Sequence, residues 1–212
     1  MIKELIQEIV TENPKFTIKY RIAHEPLDNF DWAHLRGFDL YDHTSLPENY
    51  AKAAHSIILV AKNGCDSKVL GGVLFLEEVN LFRTRQLAPA MKEVPFGPWS
   101  LEMNGLWLSN ELSDFDRLGF WALVCEFLCA IEQNTNVVFS YDTRKKSLDR
   151  WYRTFPGHTL YEGTVLALPG MSGEGVERVG TFETDDFKAN ADRLLVQRML
   201  AAGKRANALA GL

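Results

Sequence analysis

The first dozen positions place Ile2, Leu5, Ile6, Ile9 and Val10 on one helical face. Asn13-Pro14 stops that helix. Phe16, Ile18, Tyr20 and Ile22 then alternate with polar residues, which predicts a half-buried strand. Residues 29–41 carry Phe30, Trp32, Leu35, Phe38 and Tyr41 and predict a second helix. Short apolar strands are expected over 56–61 and 69–79, with Asn63-Gly64 in the connection as a hairpin signal. The regularity then breaks over 80–98. Arg83, Arg85, Pro89, Pro95, Gly97 and Pro98 predict a long loop there, with a helical turn near 87–91. Loops of that length in compact folds are often functional.

Strand character returns over 99–108. Ser113 and Asp116 stand three apart ahead of an apolar run, the spacing of a capping box. The helix they open, expected to reach about 133, is apolar nearly all round. Phe115, Leu118, Trp121, Val124, Cys125, Leu128 and Ile131 fall within it, so burial on more than one side is expected. A strand over 137–141, a short helix over 147–155 ended by Pro156-Gly157, and a strand over 158–168 follow. The four glycines of 169–180 predict a loop, with a short strand over 179–183 and a closing helix over 185–202. No repeat or linker divides the chain. The expectation is one α/β domain over 1–212, a single mixed and mostly antiparallel sheet flanked by helices, with its core over about 16–168.

The 212 residues, 46% hydrophobic and 24% charged, exclude a disordered or collagen-like chain. No apolar stretch approaches the roughly 20 residues of a membrane span. The first residues carry acids within their apolar pattern, unlike a signal peptide. Cys65, Cys125 and Cys129 are odd in number and show no C-x-x-C, so a reducing cytoplasm is the expected setting. A net charge of −5 disfavours global attraction to nucleic acid or anionic lipid. Two basic clusters stand against it: Arg144, Lys145, Lys146, Arg150 and Arg153, and then Arg193, Arg198, Lys204 and Arg205. The five histidines have no metal-site spacing, and no nucleophile elbow, phosphate loop or dinucleotide fingerprint is present.

The order of elements over about 16–168 resembles the fold of the GNAT acyltransferases. Three segments carry the resemblance. The segment Trp99-Ser-Leu-Glu-Met-Asn-Gly-Leu-Trp-Leu108 is similar to that family's central fourth strand, which implies Glu102 as a general base. A carboxyl among Leu101, Met103, Leu106 and Trp107 is expected to have its pKa raised by desolvation. The segment Ser147-Leu-Asp-Arg-Trp-Tyr-Arg-Thr-Phe-Pro-Gly157 is similar to the family's short helix, which implies Tyr152 as a general acid. Residues 108–119 fall where the family's pyrophosphate loop is expected, which implies donor contacts by Leu108, Asn110, Arg117 and Gly119. The loop departs from the family pattern, because Phe120 and Trp121 occupy places where small residues would stand.

That departure resembles the acyl-homoserine-lactone synthases, whose donor is usually carried on acyl carrier protein. Arg36-Gly-Phe-Asp39-Leu-Tyr-Asp42 is similar to their arginine followed by an acidic D-x-x-D segment. The strand keeps Glu102 but has Asn104-Gly105 where they have Ser and Arg. Val138-Phe-Ser140-Tyr141-Asp142 is similar to a pattern in phage enzymes that modify adenine in DNA. The leading implication is transfer of an acyl group from a thioester, acyl-CoA or acyl carrier protein, to a small-molecule amine. No tightly bound cofactor and no metal are expected. Arg36, Asp39, Asp42 and Asn104 would bind the acceptor. Lys146 and Arg150, on one helical face with Arg153, would meet the donor. The alternatives are a DNA base-modifying enzyme and a degenerate, non-catalytic binding module.

Overall fold

The computed structural model describes residues 16–42, 46–63, 65–77, 84, 87, 100–130, 135–166, 174–190, 193 and 196. The helix expected over 1–12, most of the loop 80–98 and most of the closing helix and basic tail lie outside these residues. In chain order the elements are β1 (Phe16–Arg21), α1 (Asn29–Asp42), α2 (Glu48–Lys52), β2 (Ala54–Asn63), β3 (Asp66–Glu77), β4 (Ser100–Leu108), α3 (Asp114–Ala130), β5 (Asn136–Asp142), α4 (Lys146–Tyr152), β6 (His158–Val165) and β7 (Gly175–Glu183). Residues 184–190 then form helix α5.

The strands make one seven-stranded sheet in the order β1-β2-β3-β4-β5-β7-β6. Every neighbouring pair is antiparallel except β4 with β5. The β2–β3 register closes at Asn63↔Asp66, as the hairpin signal requires. Strand side chains alternate between faces, so the sheet has two covered sides. One side carries α1 and α2, where Leu35, Phe38, Tyr50, Leu74, Leu76 and Trp107 pack together. The other carries α3 and α4, where Val73, Phe75, Met103, Leu128, Phe139 and Phe182 pack. The all-round apolar character of α3 matches its burial: Phe120, Trp121, Leu123, Val124, Cys125 and Leu128 are all removed from water. Each of the larger ones contributes roughly 1.5–3 kcal/mol of hydrophobic stabilisation.

Two expectations are corrected. The alternation in β1 does not give one uniformly buried face. Phe16 and Ile18 pack on the α3 side, whereas Tyr20 is 52% exposed and Ile22, just past the strand, is 62% exposed. The opposite face of β1 turns Arg21 inward instead, where its Nε bonds Asp31 at 3.1 Å and an Nη donates to the Ala51 carbonyl at 2.5 Å. Lys19 and Ser56 also reach Asp31, at 2.7 and 3.0 Å. Burial alone would raise the Asp31 carboxyl, but its hydrogen bonds and the two cations outweigh that and hold it at about 2. The second correction is β7, which begins at Gly175 inside the expected loop 169–180 and fits between β5 and β6. Its glycines hide the strand in the sequence. Gly180 pairs with Phe139, whose ring lies where a β-carbon would stand.

Candidate active site

The site is built where one strand pair comes apart. β4 and β5 are in register from Ser100↔Asn136 to Met103↔Phe139. Beyond that pair β4 runs on to Leu108 and β5 to Asp142 without a shared ladder. Just there β4 bulges, since Gly72 pairs with Trp107 but Leu74 with Asn104, leaving Gly105 and Leu106 against Val73. Gly105 has φ +62°, the left-handed conformation that glycine adopts without penalty.

On the α1 side of this bulge lies a buried polar cluster. Glu102 is fully removed from water. Its Oε1 accepts a hydrogen bond from Asn104 Nδ2 at 3.2 Å and one from Tyr50 Oη at 3.3 Å. Asn104 Oδ1 accepts from the Gly105 N–H at 2.7 Å. His34, also fully buried, places Nε2 3.1 Å from the Gly105 carbonyl. Burial lowers the His34 pKa to about 4, against the opposing pull of its backbone partners at Gly72 and Gly105 and of Asp31. Trp107 stacks on His34 with rings 6.0 Å apart at 11°, and its Nε1 donates to the His34 carbonyl at 3.0 Å.

Tyr152 stands on the opposite face. It stacks on Phe139 at 4.9 Å and on Tyr141 at 4.8 Å, beside the end of the β4–β5 ladder. Burial and, secondarily, Tyr141 push its phenol well above the ordinary range. Tyr141 donates to Asp149 at 3.0 Å. Glu102 and Tyr152 are therefore related through the diverging strands and not across a shared surface.

The segment after β4 departs from an anion site. Leu108 is buried in the α3-side core, Asn110 is exposed and Gly119 is buried. Arg117 turns back on its own chain, donating to Ser109 O at 2.6 Å and Leu112 O at 3.3 Å. The expected capping box is present. The Asp116 N–H donates to Ser113 Oγ at 3.1 Å, and the Ser113 N–H donates to the Asp116 carboxylate at 3.0 Å. The N-terminus of α3 thus already holds a carboxylate. Lys68 pairs with Glu111 alongside.

Arg36 and Asp39 are exposed on α1, whose Asp31, His34, Leu35 and Phe38 point inward, so the fold does not bring them to Glu102. The side chain of Asp42 lies outside the described residues. The basic cluster is smaller than its sequence suggests. Arg144 pairs with Asp142 at 2.5 Å, and Arg153 with Asp149 at 2.7 Å and Glu162 at 3.1 Å. Lys146 and Arg150 are exposed and have no ion pair among the described residues. Cys125 is buried in the core, and Cys65 is exposed. Among the described residues no His, Cys, Asp or Glu group is arranged to hold a metal, and no helix is long and apolar enough to cross a membrane.

Comparison with solved structures places the architecture. Arabidopsis thaliana NAA60 in complex with acetyl-CoA matches with a TM-score of 0.53 at 11% identity, over 80% of this chain and 99% of that one. The fold is that of the GNAT acyltransferases. An uncharacterized Bacillus halodurans protein matches with a TM-score of 0.54 at 13% identity, over 85% and 91% of the two chains. A CoA-dependent acyl-homoserine lactone synthase, BjaI, shows a TM-score of 0.49 at 17% identity, over 78% and 79%. No family model and no curated protein matches the chain. Within the GNAT fold, the sequence pointed to Glu102 and Asn104 but missed their partners. His34 was visible as a polar residue inside the inward stripe 31-34-35-38 of α1. Nothing local marks Tyr50, which reaches Glu102 across 52 positions of chain.

Proposed function

We propose that the protein transfers an acyl group from a thioester to an amine. The observation that carries this reading is the fully buried Glu102 carboxyl, oriented by Asn104 and Tyr50 beside the bulge where β4 leaves β5. A strand pair that separates within a sheet leaves room for an extended thioester arm to pass between its edges. The amine gives a proton to Glu102 as its nitrogen attacks the thioester carbonyl. Ser109 N–H is directed at Leu70 O on β3, so backbone alternation turns the Leu108 N–H to the opposite, β5 side. That group is suited to hold the oxyanion, an interaction typically contributing about 3–4 kcal/mol. The C–S bond then breaks and the thiolate leaves. With its phenol raised far above a thiol's pKa of about 8.5, Tyr152 serves the sulfur as a hydrogen-bond donor, and water completes the protonation.

The donor reading follows from charge. An anion approaching the N-terminus of α3 meets the Asp116 carboxylate, which supports a donor that places no phosphate there. Lys146 and Arg150 offer an exposed positive spot that suits an acidic acyl carrier protein. The neutralised Arg144 and Arg153 leave little positive surface for duplex DNA, so base modification is not favoured. The test is to incubate the protein with acetyl- and longer acyl-CoAs, and with the same acyl groups on acyl carrier protein, against a panel of amines. Mass spectrometry then reads the products. Amide formation with a faster rate from the carrier protein is expected. Absence of both turnover and binding for every thioester overturns the reading.

A further inference from the structure

Both backbone polar atoms of Gly105 are held by side chains. Its N–H donates to Asn104 Oδ1 at 2.7 Å, and its carbonyl lies 3.1 Å from His34 Nε2. A carbonyl can only accept, so Nε2 carries the proton. The ring is fully buried, and Nδ1 has no hydrogen-bond partner among the described residues, so the backbone of Gly72, like that of Gly105, acts on the Nε2 side, which suits the neutral tautomer. The ring is also confined. Trp107 stacks on it, and a β-carbon at Gly72 would stand 2.8 Å from its Cδ2. The bonds form one directed series: His34 to the Gly105 carbonyl, Gly105 N–H to Asn104, Asn104 to Glu102.

We infer that His34 is a positioning residue: its neutral Nε2–H ring on α1 fixes the Gly105 bulge and, through Asn104, the carboxylate of Glu102. This rests on the acyl-transfer reading for its catalytic consequence, but not for its geometry. The Gly105 N–H and carbonyl both face side chains, so loss of either side chain releases one end of the bulge. Phenylalanine at 34 keeps the ring shape and removes the donor. Glutamine places an amide nitrogen close to the Nε2 position and restores it.

The test has a structural and a kinetic arm. Nitrogen-15 NMR of the imidazole is expected to show Nε2 protonated and Nδ1 unprotonated at pH 7.5. His34→Phe is expected to shift the Gly105 amide and the Asn104 side-chain NH2 signals while Gly163 on β6 stays in place, and His34→Gln is expected to return both toward the wild-type positions. With acetyl-pantetheine and the best amine of the panel, His34→Phe is expected to lower kcat at least tenfold with KM changed less than threefold, and His34→Gln to recover most of that loss. A proton on Nδ1 in the wild type overturns the inference. So do unchanged Gly105 and Asn104 signals in His34→Phe. If His34→Phe does not fold, the wild-type tautomer and the His34→Gln signals decide. If the wild type turns over no thioester, the acyl-transfer reading fails while the NMR arm still decides the role of His34.

Discussion

Glycine in the middle of a helix normally costs about 1 kcal/mol relative to alanine, so Gly37→Ala in α1 would ordinarily stabilise the protein. Here the opposite is expected. A β-carbon at Gly37 would stand 2.1 Å from Trp107 Cζ2 and 2.7 Å from Cη2. The indole has little freedom to yield, because it stacks on His34 and its Nε1 is bonded to the His34 carbonyl. Overpacking of this kind costs about 1–3 kcal/mol, and losing the Nε1 bond inside the core adds roughly 1–3 kcal/mol. Set against the helix propensity gain of about 1 kcal/mol, the net loss is about 1–5 kcal/mol. Each kcal/mol of that loss lowers Tm by about 2–4 °C in a chain of this size. Urea unfolding followed by far-UV circular dichroism measures it. Trp107→Phe removes the clashing ring atoms, so Gly37→Ala should cost at least about 1 kcal/mol less in that background, a coupling a double-mutant cycle reads directly. A Gly37→Ala protein more stable than wild type would refute the interlock. So would an equal cost in both backgrounds.

Three further outcomes are expected. The His34 pKa, depressed from 6.5 to about 4 in the folded state, means the unfolded chain binds the extra proton first; stability is full above about pH 6.5 and falls by roughly 3 kcal/mol as pH drops to 4. Urea titrations should show that slope in wild type and not in His34→Gln, while Asp31, held at about 2, adds its own loss only below its unfolded value of 3.8. Lys146→Glu with Arg150→Glu should weaken donor binding several-fold at low salt and little at high salt, without changing Tm, as read by titration calorimetry with acyl carrier protein. Ser113→Ala should cost about 1 kcal/mol in urea unfolding by opening the capping box.

What could be read from the sequence follows from which forces act locally. Periodicity placed α1, α3 and β2 to β5 because each buries a regular stripe or run. The capping box was legible because both its members lie within four residues. The strand β7 was not, because Gly175 and Gly180 mimic a loop while the sheet on either side supplies the reason to be extended. The Arg21–Asp31 pair reversed the expected burial at the end of β1, since a charge goes inside only when a partner from another element meets it. At the site, Glu102 and Asn104 stood out as polar residues in an apolar strand. Tyr50 and the function of His34 depend on contacts 52 and 71 positions away, which no local pattern encodes.

In the proposed reaction Glu102 takes the proton of an attacking amine beside the β4–β5 divergence. The most direct measurement is the amine-dependent release of free thiol from acyl carrier protein thioesters by wild type and by Glu102→Gln, compared at equal Tm. A general base is typically worth about 10²–10⁴ in rate, so Glu102→Gln should lower kcat at least 100-fold while thioester binding persists. A Glu102→Gln protein that releases thiol at a rate within a few-fold of wild type would rule out Glu102 as the base.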